Sequence, residues 1–245
     1  MKKNDEIKQN LERLFIENYK HVRDESLENI IKDYIIETDL YYKSMGITNY
    51  LQDEEVLLLN KVSKNKRLQK AFDEVIKIDF NEAIIKDDLI SGIKNAIIDL
   101  KQNAQSQQDK FNIQLIFIIH DQLLSAGLYC YGEGSFPILK EPSGFSFDYK
   151  KSIYNHIDLI NYSTISSKLF SFDLLLEEME IDNFIMETAF YEHLTECYKY
   201  KTYQLLNKAF ESINIQEFEK LSIKFPLHIY ANEHDCPPIN IYLYE

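Results

Sequence analysis

Residues 111–119 read FNIQLIFII, and this stretch decides the fold that the sequence predicts. It begins with alternating polar and apolar residues and is rich in β-branched and aromatic side chains, which is typical of a buried β-strand. We expect it to be the central strand of a sheet. Shorter stretches of the same character follow it at residues 128–131, 145–149, 227–230 and 239–244. Glycines and prolines crowd between residues 127 and 144, which indicates turns and hairpin-like connections there.

The chain before this strand has a different pattern. Residues 1–110 contain no Pro and only two Gly, and their apolar residues recur at helical spacing. Ser26 is suited to the N-cap of one of these helices and Gly46 to its C-terminal stop, while Asp87 or Asp88 could cap the last one. The predicted helices follow apolar stripes within residues 7–22, 27–35, 68–76 and 89–100.

Another long helix is predicted from about residue 183 to residue 212, where it would cover the sheet. Helices that come first, followed by mostly short-range strand pairs, describe an α+β protein, and regular alternation of helices with parallel strands is not visible. We therefore expect a helical region at 1–110, followed at 111–245 by a small, mainly antiparallel sheet under a long helix. The two regions could also form one continuous domain.

The chain is acidic, with 40 Asp and Glu against 27 Lys and Arg and a net charge of -13. Binding to a phosphate backbone depends on Lys and Arg that displace counterions, so this charge opposes binding to DNA or RNA, and we expect no nucleic acid partner. Residues 1–110 carry 21 acidic and 18 basic side chains, whereas residues 111–245 carry 19 and 9. The excess of negative charge is therefore predicted in the second half.

Location is predicted from apolar segments and cysteines. No stretch approaches the roughly 20 apolar residues that cross a bilayer, and the first residues lack the apolar segment of a secretory signal. Cys130, Cys197 and Cys236 are too few and too widely spaced to form a disulfide framework. We expect a cytoplasmic protein with reduced thiols and no membrane partner.

The most unusual segment is residues 169–198, which contains eight carboxylates and no Lys or Arg. Like charges at helical spacing repel by roughly a few tenths of a kcal/mol per pair, so a basic partner would relieve the repulsion. Interleaved Phe and Tyr residues favour a protein-binding surface, although a solvated face that only maintains solubility is the alternative. The predicted partner-binding residues are Asp173, Glu177, Glu178, Glu180, Asp182, Glu187, Glu192 and Glu196.

Residues suited to nucleophilic catalysis are sparse. His120 and Cys130 could meet across a hairpin as the base and the nucleophile of a hydrolase. However, Cys130 lies between Tyr129 and Tyr131, which also suits a small buried strand residue, and His120 at a strand end can cap a turn. We assign no catalytic residue.

Metal and nucleotide signatures are equally weak. Residues 233–236 (EHDC) carry metal-binding groups beside His228, but their spacing matches no zinc pattern, and a turn stiffened by the following prolines is the simpler interpretation. His193 and Cys197 lie four apart on the predicted helix, which supplies only two ligands. The turn at residues 132–134 matches no nucleotide fingerprint. We expect no metal and no cofactor.

The sequences FNIQLIFIIHD at 111–121, LYCY at 128–131 and YKYKTYQLL at 198–206 together resemble bacterial immunity proteins of polymorphic toxin systems. Members of that group are cytosolic, acidic α+β proteins that bind and block a cognate toxin domain. The resemblance implies a basic toxin domain, such as a nuclease, as the partner of this chain.

Residues 229–238 (IYANEHDCPP) are similar to the Asn-Glu-His-x-x-Pro-Pro-His-x-His signature of a small bacterial family linked to toxin-antitoxin modules. Where that signature continues with His-x-His, this chain has Ile239, Asn240 and Ile241. An activity that rests on those histidines would be absent here.

Three functional hypotheses follow. The leading one is a non-catalytic, immunity-type inhibitor whose acidic residues bind and neutralise a basic toxin domain. The second is a hydrolase or metal-dependent enzyme that uses His120 and Cys130, or residues 233–236. The third is a structural or regulatory module whose helical first half mediates self-association.

Overall fold

The structure is a computed structural model that describes residues 3–48, 50–106, 112–121, 125–142, 149–153, 158–161, 163–219 and 221–245. None of the helices in these ranges is long and apolar enough to cross a membrane. The elements form an α+β fold, as the sequence predicts.

Within the described residues, five helices precede the sheet. Ser26 caps the second one, since its hydroxyl accepts a hydrogen bond from the Asn29 N–H at 3.2 Å, and Gly46 follows that helix with φ +79°, which confirms both predictions. The fifth helix starts earlier than Asp87 because the Asn81 side chain accepts the Ile84 N–H at 3.4 Å and caps it. The helices are α1 (Lys3–Tyr19), α2 (Leu27–Ser44), α3 (Asp53–Val62), α4 (Lys66–Val75) and α5 (Glu82–Ser106), of which α3 was not predicted.

The strands are β1 (Ile113–Asp121), β2 (Ser125–Gly132), β3 (Lys151–Ile153), β4 (Asp158–Asn161), β5 (Ile223–Glu233) and β6 (Ile239–Tyr244). They form a sheet with strand order β3-β2-β1-β5-β6, in which β4 also pairs with β2. The predicted central strand is confirmed as β1. Of the predicted strand at 145–149, residues 145–148 lie outside the described residues, and Tyr149 is in no strand.

The sheet is mainly antiparallel, as predicted, but β1 and β5 pair in parallel. Parallel neighbours need a long crossover connection, and the described part of the chain between these two strands contains three α-helices and a short 3-10 helix, Ile215–Phe218. The three α-helices are α6 (Ser163–Glu178), α7 (Asp182–Ile185) and α8 (Ala189–Ser212).

The single helix predicted at 183–212 is in fact two helices, α7 and α8. The Thr188 hydroxyl accepts the Tyr191 N–H at 3.3 Å and caps α8, so the chain turns before residue 189. The second half of α8 covers one face of the sheet, as predicted. Asn207 donates to the Ile241 carbonyl at 2.6 Å, and the Tyr244 hydroxyl donates to the Phe210 carbonyl at 2.9 Å.

The opposite face of the sheet carries a separate apolar cluster. Leu115 and Phe117 alternate with the residues that face α8, and they pack with Tyr230 beneath the loop that follows β2. Phe136 and Leu139 of that loop complete the cluster. Both faces of β1 are therefore buried.

The described chain divides into two compact units, which we call the sheet unit and the helical unit. The helical unit comprises Phe15–Asp79 and Ser167–Tyr198, and the remaining segments form the sheet unit. The boundary predicted at residue 110 lies outside the described residues and stays a prediction. In the sheet unit, the Asn4 side chain bonds both the N–H and the carbonyl of Leu243, at 2.9 and 2.8 Å.

Aromatic side chains form the core of the helical unit. Phe72 of α4 lies 6.2 Å from Phe172 of α6 and 5.4 Å from Phe190 of α8 between ring centroids. The Tyr198 hydroxyl, which is fully buried, donates to the Val75 carbonyl at 3.0 Å.

Negative charge is concentrated in the helical unit. Its segments contain 21 Asp and Glu and 11 Lys and Arg, a net charge of -10, whereas the sheet unit contains 19 and 16, a net charge of -3. The helical unit therefore carries most of the excess charge of the chain.

Candidate functional site

All eight predicted partner-binding carboxylates belong to the helical unit. They lie on α6, on α7, at the start of α8 and in the turns that join these helices. Asp173, Asp182 and Glu196 are half-buried. The exposed members are Glu177, Glu178, Glu180, Glu187 and Glu192.

Few of these carboxylates are neutralised locally. Glu178 forms an ion pair with Arg67 of α4 at 2.7 Å, so it is less available to a partner than the sequence predicts. Five other carboxylates have no basic nitrogen within 4 Å in the described ranges, namely those of Glu177, Glu180, Asp182, Glu187 and Glu192.

Asp173 is the most perturbed carboxylate of the group. Its side chain accepts a hydrogen bond from the Tyr191 hydroxyl at 2.8 Å, which joins α6 to α8. Burial and, to a smaller extent, the charge of Glu177 raise the pKa of Asp173 to about 6, against the lowering effect of the hydrogen bond from Tyr191. A cation close to Asp173 would favour its ionised form.

A pocket of about 200 Å³ opens in the helical unit between α2 and the start of α8. Binding sites for drug-sized ligands usually measure roughly 300–1,000 Å³, so this pocket is better matched to a single side chain. Its polar wall is formed by His21, Glu25, Asp33, Tyr34, Glu37 and His193.

The two histidines of the pocket stack on each other, with ring centroids 4.4 Å apart and an interplanar angle of 12°. Nδ1 of His193 lies 2.8 Å from Oδ1 of Asn18, and because an amide oxygen only accepts, Nδ1 carries the proton. Burial lowers the pKa of His193, and the facing His21 lowers it further. His193 is therefore neutral at pH 7, and the carboxylates make the pocket negative.

The predicted acidic segment lines part of this pocket through Thr188, Ala189, Phe190 and His193. Burial raises the pKa of Tyr34, and the charge of Glu187 adds a smaller increase. Glu192 and Glu196 act in the same way on His193. Glu192 also lies in the first turn of α8, where a carboxylate stabilises a helix N-terminus, so its position has a structural role too.

The sequence did not single out the carboxylates that α2 and its preceding turn supply to the pocket. Glu25, Asp33 and Glu37 lie in a region whose lysines nearly balance its charge. The available signal was the spacing of Asp33 and Glu37, which places both on one face of α2 beside Tyr34.

His120 and Cys130 do not meet. Cys130 pairs with Ile116, so it lies four residues along β1 from His120, or roughly 13 Å at strand spacing. The His120 Nε2 instead contacts the Tyr203 hydroxyl at 2.6 Å. Burial lowers the pKa of His120 to about 3 and raises that of Cys130 to about 12, so neither group is ionised near neutral pH.

Residues 233–236 form the tight turn between β5 and β6. The Cys236 N–H donates to the Glu233 carbonyl at 2.9 Å, and Asp235 adopts φ +63°. On α8, the thiol of Cys197 is buried, and burial raises its pKa to about 12. Throughout the described ranges, no three His, Cys, Asp or Glu side chains are placed to hold a metal ion.

The arrangement in the helical unit is suited to holding a positive group. It combines carboxylates without local cations, a side-chain-sized negative pocket and aromatic walls. Guanidinium and ammonium groups bind to such surfaces through charge-assisted hydrogen bonds and ring contacts. No family model, no curated protein and no solved structure matches the chain.

Proposed function

We propose that this protein binds a basic protein partner through its helical unit and neutralises it, as an immunity-type inhibitor of a toxin domain. The observation that carries the proposal is the net charge of -10 in the helical unit, with exposed carboxylates that have no basic group within 4 Å in the described chain. A basic surface would neutralise these charges on binding.

Asp173 supports the same conclusion. A half-buried carboxylate whose pKa is raised to about 6 destabilises the free protein at neutral pH. A partner Lys or Arg placed beside Asp173 and Glu177 would remove this cost, and part of the binding free energy would come from that relief.

The pocket supplies specificity to the proposed interface. Binding energy in protein interfaces is concentrated in a few anchor side chains that fill pockets, and arginine is enriched among them. The volume of the pocket and its carboxylates fit one such side chain. Attraction between opposite charges would speed the encounter, while the anchor would slow dissociation.

The proposal is tested by affinity capture from the native host with the wild-type chain and two matched variants. The helical-unit variant carries Glu177→Gln, Glu180→Gln, Glu187→Gln and Glu192→Gln. The control carries Glu12→Gln, Asp99→Asn, Glu211→Gln and Glu219→Gln, which are exposed positions of the sheet unit.

We expect a basic protein that the wild type and the control retain and the helical-unit variant loses. The captured protein should lose its toxic activity when an equimolar amount of wild-type chain is added. If the helical-unit variant retains the basic protein as well as the wild type does, the interface lies elsewhere on the molecule. A captured protein that stays fully active in the complex would contradict the inhibitor function.

A further inference from the structure

Two exposed and two half-buried tyrosines lie on α2 and in the segment that follows it, in the helical unit. Tyr41 is 61% exposed and meets Tyr42 edge to face, with centroids 5.1 Å apart. Tyr42 stacks on Tyr50, which is 47% exposed, at an interplanar angle of 10°. Tyr34 lies two turns earlier on α2, against Phe184 at 5.6 Å. We call Tyr34, Tyr41, Tyr42 and Tyr50 the tyrosine platform.

The backbone holds the platform in place. After α2, the Gly46 N–H donates to the Lys43 carbonyl at 3.0 Å and the Ile47 N–H donates to the Tyr42 carbonyl at 2.9 Å. The positive φ of Gly46 lets the chain reverse there, and the reversal returns Tyr50 to the ring of Tyr42. The rings are therefore largely preorganised, which lowers the entropy lost on binding.

Three apolar side chains next to the platform in the chain are also exposed. Leu40, Met45 and Ile47 are 62%, 50% and 45% exposed. Apolar groups that cluster on a surface in this way commonly mark a site of interaction with another protein.

Carboxylates surround the platform. Glu37 lies one turn before Tyr41 on α2, and burial raises the pKa of Tyr34, with smaller increases from the charges of Glu187 and Glu55. The nearest lysine of α2, Lys43, already pairs with Asp39 at 2.6 Å. Aromatic faces and carboxylates therefore occur together.

We propose that the tyrosine platform docks an arginine-rich segment of the basic partner, with guanidinium planes stacked on the tyrosine rings and their N–H groups paired with Glu37, Glu55 and Glu187. This inference rests on the proposed function, because it names the chemistry of the same partner. Arginine fits better than lysine, since its planar guanidinium stacks on a ring and still donates in its own plane.

The negative charge of the helical unit disfavours other ligands of the tyrosine platform. A second copy would bring two helical units of net charge -10 together, and anionic lipid or nucleic acid would meet the same carboxylates. Asp33, Tyr34 and Glu37 also line the pocket, so α2 presents the pocket and the platform one after the other. One arginine of the partner segment would enter the pocket, while the following arginines would stack on the platform.

The test uses the full chain and two probes, an oligo-arginine peptide and an oligo-lysine peptide of equal length, titrated by calorimetry. We expect tighter binding of oligo-arginine, by about two- to fivefold for each stacked tyrosine. Tyr41→Leu removes an exposed ring and should reduce this preference by that factor, whereas Tyr41→Phe keeps the ring and should retain it. Circular dichroism checks that both variants are folded.

Equal affinity for the two peptides, or an unchanged preference in Tyr41→Leu, would overturn the platform. So would dimerisation that Tyr41→Leu abolishes, because a second copy would then be the occupant. The two proposals fail in different ways. If the wild type binds both peptides equally and the helical-unit variant binds neither, the acidic interface is supported and the platform is not. If the chain prefers oligo-arginine but inhibits no toxin, the platform is supported and the inhibitor function is not.

Discussion

Asp173 is ionised at neutral pH in surroundings that favour its protonated form. Burial and the charge of Glu177 outweigh the hydrogen bond from Tyr191, and the pKa of Asp173 rises to about 6. Between the usual Asp pKa of 3.8 and this value, the native state binds more protons than the unfolded state. The stability contributed by Asp173 therefore increases as the pH falls from 6 towards 4.

Asp173→Asn should raise the free energy of unfolding at pH 7 by on the order of 1–3 kcal/mol, because the amide removes the buried charge and its oxygen can still accept from Tyr191. The gain should vanish near pH 4, where the wild-type carboxyl is protonated. Urea unfolding at the two pH values measures both effects. The exposed Glu180→Gln serves as a control, and equal stability of Asp173→Asn and wild type at pH 7 would contradict the argument.

The buried histidines act in the opposite direction. Burial lowers the pKa of His120 to about 3 and that of His228 to about 4, both below the usual 6.5. Below pH 6.5, the unfolded state then binds more protons than the native state. The two histidines therefore contribute their full stability above pH 6.5, and this contribution decreases as the pH is lowered below that value.

For His120, the expected loss between pH 7 and pH 5 is about 2 kcal/mol. His120→Gln keeps a hydrogen-bonding group for Tyr203 but does not titrate, so its unfolding free energy should depend less steeply on pH over this range. Unfolding curves at several pH values compare the slopes. If His120→Gln loses as much unfolding free energy between pH 7 and pH 5 as the wild type, groups other than His120 cause that loss.

Single residues were predictable where the chemistry is local. Ser26 and Gly46 cap α2 as expected, because a cap depends on the few residues beside it. The separation of His120 and Cys130 was not predictable, since it depends on the register of β1 with β2, which no local pattern contains.

At the scale of the elements, Thr188 determines where α8 begins. Its hydroxyl accepts the Tyr191 N–H and also donates to the Ile185 carbonyl at 2.6 Å, so it ends α7 and starts α8. Apolar spacing continues through residues 186–188, and for that reason the pattern alone predicted one helix.

Thr188→Ala should lower the free energy of unfolding by about 1 kcal/mol, the usual effect of losing an N-cap, and Thr188→Ser should restore most of it. Denaturant unfolding compares these variants with Thr195→Ala, which lies inside α8 and caps nothing. If the two alanine variants are equally stable, the hydroxyl of Thr188 does not determine the start of the helix.

Strand types were predicted better than strand directions. The alternation in β1, β5 and β6 is visible in the sequence, because each has at least one face in the core. The parallel pairing of β1 with β5 follows instead from the helical crossover between them, which strand periodicity does not reveal.

For the whole molecule, the distribution of charge between the two units matters most. Residues 167–198 have a net charge of -7, and residues 15–79 add -3 to the same unit. The sequence places the excess in the second half of the chain, but folding also gathers carboxylates from the first half. The pocket residues Glu25, Asp33 and Glu37 were missed for this reason.

Association with the captured basic partner should slow by about tenfold from low to physiological ionic strength, since salt screens the attraction between opposite charges. Stopped-flow measurements of the association rate provide the test. The helical-unit variant should associate more slowly and depend less on salt, while the sheet-unit control should behave as the wild type. A rate that is flat with salt would exclude electrostatic steering.

The contact of Asn4 with Leu243 has a consequence for synthesis on the ribosome. The Asn4 side chain of α1 can form these two bonds only after β6 has been translated, so the sheet unit does not close before β6 has left the ribosome. The helical unit, whose later segment ends at Tyr198, emerges in full before that point. Its acidic surface is therefore available to a ligand earlier than the sheet is finished.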